Sequence, residues 1–149
     1  MFKDLTVDVT HKIKGDQPID QAKVLEFMKE RLIRNSSGAK VETKSDGSLD
    51  FKGTLMGSQK TTGLKLQASV TTEGNSAKLH ISGKPFRGPM FWFFAICWIG
   101  SIALWQYGIF WVVFTFICLP AVLKSNKMLE TLPKVFVDKL VKETDSEFA

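Results

Sequence analysis

From Pro89 to Leu123 the chain runs thirty-five residues without one Asp, Glu, Lys or Arg, and all four tryptophans, the single tyrosine and both cysteines fall inside that run. At about 1.5 Å of rise per residue a single helix of this length would measure roughly 52 Å, against about 30 Å for the hydrocarbon core of a bilayer. A stretch this apolar belongs in lipid, and one this long has to double back within it. Gln106-Tyr107-Gly108 is the natural turn. The expectation is a two-helix transmembrane hairpin over residues 87–124, with arms of about 89–105 and 109–123.

Mean hydropathy is near zero, +0.01, only because two unlike parts are averaged. Residues 1–88 carry fifteen Lys and Arg against ten Asp and Glu, while residues 124–149 carry five of each. The surplus is spread along the first part instead of clustered, which argues against a nucleic-acid footprint. It fits ordinary solubility first, and a domain held near anionic headgroups second.

Lys84 and Arg87 precede the apolar run, Lys124 and Lys127 follow it, and the turn between its arms is uncharged. The positive-inside rule then puts both termini in the cytoplasm. Met1-Phe2-Lys3-Asp4 has neither the apolar core nor the cleavage site of a secretory leader, and the expected location is the bacterial cytoplasmic (inner) membrane, with a multi-pass topology. Trp105 and Tyr107 beside the turn, with Trp111, would mark the far interface, and Trp92 the near one, with Arg87, Lys124 and Lys127 at the cytoplasmic edge. Both arms fall short of the usual ~20 residues, so they either span a locally thinned bilayer with snorkelling cations or enter as a one-sided wedge. Full spanning is the favoured reading.

Lipid supplies no hydrophobic drive for helix pairing, so helices associate through small residues that let backbones approach. Cys97, Gly100 and Ser101 on the first arm and Thr115, Cys118 and Ala121 on the second form such stripes. Counted outward from the turn, the two cysteines differ by roughly 3 Å in depth and should face each other as membrane-buried thiols. No ionisable residue lies in the span, so neither an ion site nor a proton path is expected from this chain alone.

The first 86 residues read as a cytoplasmic α+β domain. Leu5, Val7, Val9, His11 and Ile13 alternate with polar residues, the period of a half-buried strand. Ala22, Val24, Leu25, Met28 and Leu32 recur at helical spacing after Pro18, which suits a first helical position, and Asn35 to Gly38 reads as the turn that follows. Ala39 to Thr43 and Leu49 to Leu55 flank Ser45-Asp46-Gly47, a strong hairpin signal; Leu64 to Val70 and Ala77 to Ile81 flank Glu73-Gly74-Asn75. The order is β-α-β-β-β-β, a mainly antiparallel, one-sided sheet with one helix to cover it. Its polar face carries Thr6, Lys12, Lys40, Lys44, Lys52, Lys65, Lys78 and His80: a solvated surface, or a docking surface for an acidic partner or for headgroups. The strand aromatic Phe51 falls on the apolar side, so the sheet lacks stacking platforms and nucleic acid is not an expected partner.

Beyond the apolar run, Pro120 is expected to end or kink the second arm, with Ser125-Asn126 or Thr131 capping a separate amphipathic helix over residues 125–149. Met128, Leu129, Leu132, Val135, Phe136, Leu140 and Val141 would form its apolar face. That face lies on the membrane or docks on protein; the polar side lacks a strong cationic bias, which favours docking.

Motifs for chemistry are missing. His11 and His80 lie on different strands and the cysteines lie in the bilayer, so no metal, no cofactor and no nucleophile-base set is expected. Gly57 to Gly63 has the glycines and lysine of a phosphate loop, but it lacks Gly directly before Lys60 and connects strands, so it reads as a flexible loop. Asn35-Ser36-Ser37 fits a glycosylation pattern, yet its place at a helix end explains it better. The expected function is a non-catalytic membrane protein, an accessory, scaffold or regulatory subunit of a larger complex, with lipids and another membrane protein or a second copy as partners. A lipid-handling or membrane-shaping protein is the second reading, and an enzyme working at the membrane surface the third.

Overall fold

The computed structural model describes residues 5–149; the expectation that rests on Met1 to Asp4 falls outside the described residues. It shows an α+β domain with a five-stranded antiparallel sheet and three helices. The elements are β1 (Val7–Lys14), α1 (Gln21–Arg34), β2 (Ser36–Thr43), β3 (Leu49–Leu55), β4 (Thr62–Glu73), β5 (Ser76–Arg87), α2 (Pro89–Ala103) and α3 (Ile109–Phe148), with a 3-10 turn at Trp105–Tyr107. Strand order is β1-β5-β4-β3-β2, so β2 to β5 form a meander whose last strand, β5, comes back to pair with β1 at the sheet's edge.

Local chemistry sets the turns. In the β2–β3 hairpin Asp46 Oδ1 accepts hydrogen bonds from the Ser48 N–H at 2.9 Å and the Ser48 hydroxyl at 2.6 Å, while Gly47 supplies a φ of +77°. The Ser48 hydroxyl and amide hold the Asp46 carboxyl below its ordinary range, and the hydrogen bond to Asp50 holds the Lys44 ammonium above its own. The helix α1 starts at Gln21, not at Pro18. Ile19 is held in the loop by its N–H to Gly74 O at 3.2 Å, and Asp20 caps the helix by accepting from the Ala22 N–H at 3.0 Å. At its other end the chain does not pause in a turn over Asn35 to Gly38. β2 begins at Ser36, and Gly38 at φ +65° lies within a register shift between Ser37 and Lys40.

The core lies on one face of the sheet. Ile13, Leu49, Leu64, Leu79 and Ile81 from the strands meet Val24, Met28 and Leu32 of α1, all fully buried. A second cover is the C-terminal half of α3, the segment expected to dock on protein: Val137, Leu140 and Val141 belong to the same buried cluster, with Phe136 stacked on Phe51 at 6.4 Å between ring centroids. His11 Nε2 meets Asp145 Oδ1 at 3.1 Å and Arg31 meets Glu143 at 3.6 Å, fastening the end of α3 to β1 and α1. Docking on the chain's own domain is thus the fate of this segment, although Val135, expected on its apolar face, is 61% exposed.

The separate tail helix does not exist. The helix α3 runs unbroken from Ile109 to Phe148 with Pro120 and Pro133 inside it, and no cap forms at Ser125-Asn126 or Thr131. Ser125 is buried, and the Thr131 hydroxyl bonds back to Lys127 O at 3.0 Å as an interior helical residue does. Each proline removes one backbone hydrogen bond, but packing carries the helix through: α2 flanks its first half and the sheet its second.

Of these helices, α3 is long and apolar enough to cross a membrane, whereas α2, at 15 residues, is shorter. Only 22% of the most apolar stretch of α3 is buried, unlike the core helix of a water-soluble protein.

Candidate membrane-facing site

The helix α2 leaves the sheet directly. β5 ends at Arg87, Gly88 caps the helix, and Pro89 takes its first position, where a missing N–H costs nothing. The turn after strand β3, expected to be a flexible loop, instead grips this junction. Gln59 and Lys60 both sit in the left-handed region, φ +50° and +61°. The Ser58 hydroxyl donates to Leu55 O at 2.7 Å, the Gly88 N–H donates to Thr61 O at 2.7 Å, and the Met90 N–H donates to Lys60 O at 3.4 Å. Thus one of the orphan donors in the first turn of α2 finds its acceptor in the domain. Two adjacent non-glycine residues with positive φ store strain of about 1–3 kcal/mol each, which the surrounding contacts must hold in place. Nothing in the sequence beyond glycine at 57 and 63 signals this clamp, because the strain depends on tertiary contacts.

Between α2 and the first half of α3 the seam is polar at one point. Ser101 is fully buried, Thr115 and Cys118 nearly so, and the Ser101 and Thr115 hydroxyl oxygens are 2.7 Å apart. The Trp105 indole N–H donates to Thr115 Oγ1 at 2.9 Å, while the Ser101 and Thr115 hydroxyls also reach Trp98 O and Trp111 O at 2.7 and 2.9 Å. Ser101, Thr115 and Cys118 are buried, and the first two act as hydrogen-bonding partners between α2 and α3 as well as small residues. Cys97 is half-buried, and both thiols are free. A Cβ on Gly100 would touch nothing within 4 Å, so no close backbone approach requires glycine there. Ala121 is half-buried, lining a small cleft with Phe94, Ser58 and Thr61 where the clamp meets α2 and α3.

Away from the seam the two helices present large apolar side chains outward: Trp92, Phe93, Ile96 and Ile99 on α2, and Ile109, Phe110, Phe116 and Ile117 on α3. Tyr107 is 70% exposed at the turn, whereas Trp105, expected as an interfacial anchor, turns its N–H inward to Thr115. At the domain end, the Arg87 guanidinium lies 4.2 Å from the centre of the Phe91 ring and donates to Asn126 Oδ1 at 3.4 Å; Lys124 and Lys127 are exposed on the adjacent stretch of α3. Cations, aromatic rings and amide form the base of the apolar pair.

Thr115→Val keeps the volume of the seam but strands the Trp105 N–H and removes the contact to the Ser101 hydroxyl, which keeps its bond to Trp98 O. The full chain in detergent should lose about 1–2 kcal/mol of stability, a fall in Tm of about 2–8 °C, while Thr115→Ser should lose little. A thermal melt followed by tryptophan fluorescence checks both; an unchanged Thr115→Val protein would show that the hydroxyl does not hold the pair together.

Neither a protein-family model nor a characterised protein matches the chain. Among solved structures it is similar to a TBP-like protein from Parabacteroides distasonis, with 11% sequence identity and a TM-score of 0.33; the likeness covers 55% of this chain and 57% of that one.

Proposed function

We propose that the chain is a multi-pass protein of the bacterial inner membrane, in which α2 and the first half of α3 form a transmembrane hairpin with both chain ends cytoplasmic. Its role is that of a non-catalytic accessory or scaffold subunit within a larger membrane complex. The observation that carries this reading is the continuity of α3. One end presents Ile109, Phe110, Phe116 and Ile117 outward, the other builds the domain core through Val137 and Leu140, and no flexible joint separates them. A helix of this kind transmits position: whatever binds the aromatic surface in the membrane sets the orientation of the sheet outside it.

Extraction in a mild detergent should yield a defined oligomer or a complex of fixed stoichiometry, measured by light scattering and mass spectrometry. A dispersed monomer without a stoichiometric partner would refute the subunit reading.

The length of the apolar pair favours a second reading as a membrane wedge, since 15 residues of α2 reach only about 22 Å against about 30 Å of hydrocarbon. Tyr107→Cys, in a Cys97→Ser, Cys118→Ala background, separates the two. Labelling of intact cells by an impermeant maleimide is the result expected of a spanning hairpin; labelling only after the membrane is dissolved would assign the wedge.

A further inference from the structure

Strand register lines up four lysines on the polar face of the sheet. Lys40 pairs with Lys52, Lys52 with Lys65 and Lys65 with Lys84, so one row of ammonium groups crosses β2, β3, β4 and β5. All four residues are exposed. At about 4.8 Å between strands the row is roughly 15 Å long. Like charges directly opposite each other destabilise a sheet, and among the described residues none of the four has a carboxylate within ion-pair distance. The next row pairs Glu42 with Asp50, but Asp50 is already held by Lys44 at 2.8 Å. Such a row is costly to the fold by itself and complementary to a surface of negative charge.

Its position selects the kind of anion. Lys65 and Lys84 lie three residues from Thr62 and Arg87, the pair that ends the sheet where α2 begins. Three residues of strand cover about 10 Å, close to the Debye length of about 8–10 Å at ordinary ionic strength. The row runs across the strands, so its four charges stand at a similar height above that end of the sheet. Lys52 Nζ lies 5.9 Å from the Phe86 ring centre, and Phe86 leads on to Arg87 and α2, so the cationic surface continues towards the base of the apolar pair. A soluble anion gains nothing from this placement, whereas a layer of headgroups needs it.

We propose that the row Lys40, Lys52, Lys65 and Lys84 docks on anionic phospholipid headgroups of the membrane that holds α2 and α3, and so fixes the tilt of the domain over the bilayer. This rests on the membrane reading above. Lys12 and Lys78, paired on the same face but six residues further along β5 from Lys84, are built-in controls.

The full chain is reconstituted into nanodiscs of phosphatidylcholine alone or with phosphatidylglycerol, and each lysine's rate of modification by an amine-reactive ester is read by mass spectrometry. The four row lysines should react at least about threefold more slowly in the anionic discs, Lys12 and Lys78 should not change, and high salt should abolish the difference. The quadruple variant Lys40→Gln, Lys52→Gln, Lys65→Gln, Lys84→Gln, which relieves repulsion in the sheet and so should fold, should lose its preference for phosphatidylglycerol during extraction in native lipid discs. Equal reactivity in the two discs would overturn the proposal. Protection in neutral discs by glycerol phosphate, or by an acidic peptide, without any effect of anionic lipid, would also overturn it by assigning the row to a soluble ligand or a protein. Failure of the chain to enter discs at all is a separate result, and refutes the membrane reading itself.

Discussion

Gly88→Ala is expected to lower the stability of the full chain by about 2–3 kcal/mol, the range of a forced fit into a packed site, and its Tm by roughly 5–10 °C. The reason is space, not backbone freedom, because Gly88 has an ordinary φ of −75°. A Cβ built there would come 2.1 Å from Lys60 O and 3.0 Å from its carbonyl carbon. Those atoms are backbone and belong to the turn already strained at Gln59 and Lys60, so they can give way only by breaking the bonds from Gly88 to Thr61 and from Met90 to Lys60. Loss of the clamp should also free α2 from the sheet, seen as faster hydrogen exchange at Met90 with the sheet still protected. Gly100→Ala provides the opposite sign: its new methyl meets open space in the middle of α2, and removing a helical glycine should stabilise by about 0.5–1 kcal/mol. If both alanines behave alike, the clamp is not a constraint on the junction.

The contrast between Gly88 and Gly100 marks where sequence reasoning stops. Periodicity could find the strands and α1, because each has one buried face and the alternation of Val7, Val9 and Ile13 or the spacing of Val24, Met28 and Leu32 records it directly. Register was visible only where a turn set it, as at Asp46-Gly47. The lysine row needs three registers at once, and in the sequence Lys84 stands out only as a flanking charge of the apolar run. Pro120 and Pro133 are local signals to stop a helix, yet α3 runs through both, because local signals lose when both halves of a helix have partners. In the apolar pair, the small residues pointed to the seam between α2 and α3, but composition could not distinguish Gly100, which faces open space, from Ser101, one residue on and fully buried.

Leu140→Ala should be more damaging still, costing about 3 kcal/mol and destabilising the sheet domain instead of the apolar pair. Leu140 is 3% exposed, sits one turn beyond Phe136, which stacks on Phe51, and shares its buried cluster with Leu79, Ile81 and Val137. Truncation to alanine leaves a cavity between helix and sheet that neither can close, since β1, β5 and β4 are fixed by their ladders and α3 is anchored beyond the site by Asp145 to His11. Val135→Ala, on the exposed side of the same helix, should change stability by less than about 0.5 kcal/mol. Urea unfolding monitored by hydrogen exchange in β4 and β5 measures both. A helix that merely lay on the membrane surface would reverse this pattern, with Leu140→Ala leaving the sheet's protection unchanged. A large loss at Leu140 and none at Val135 would instead establish that the C-terminal half of α3 is the second wall of the domain core, continuous with the apolar half that packs on α2.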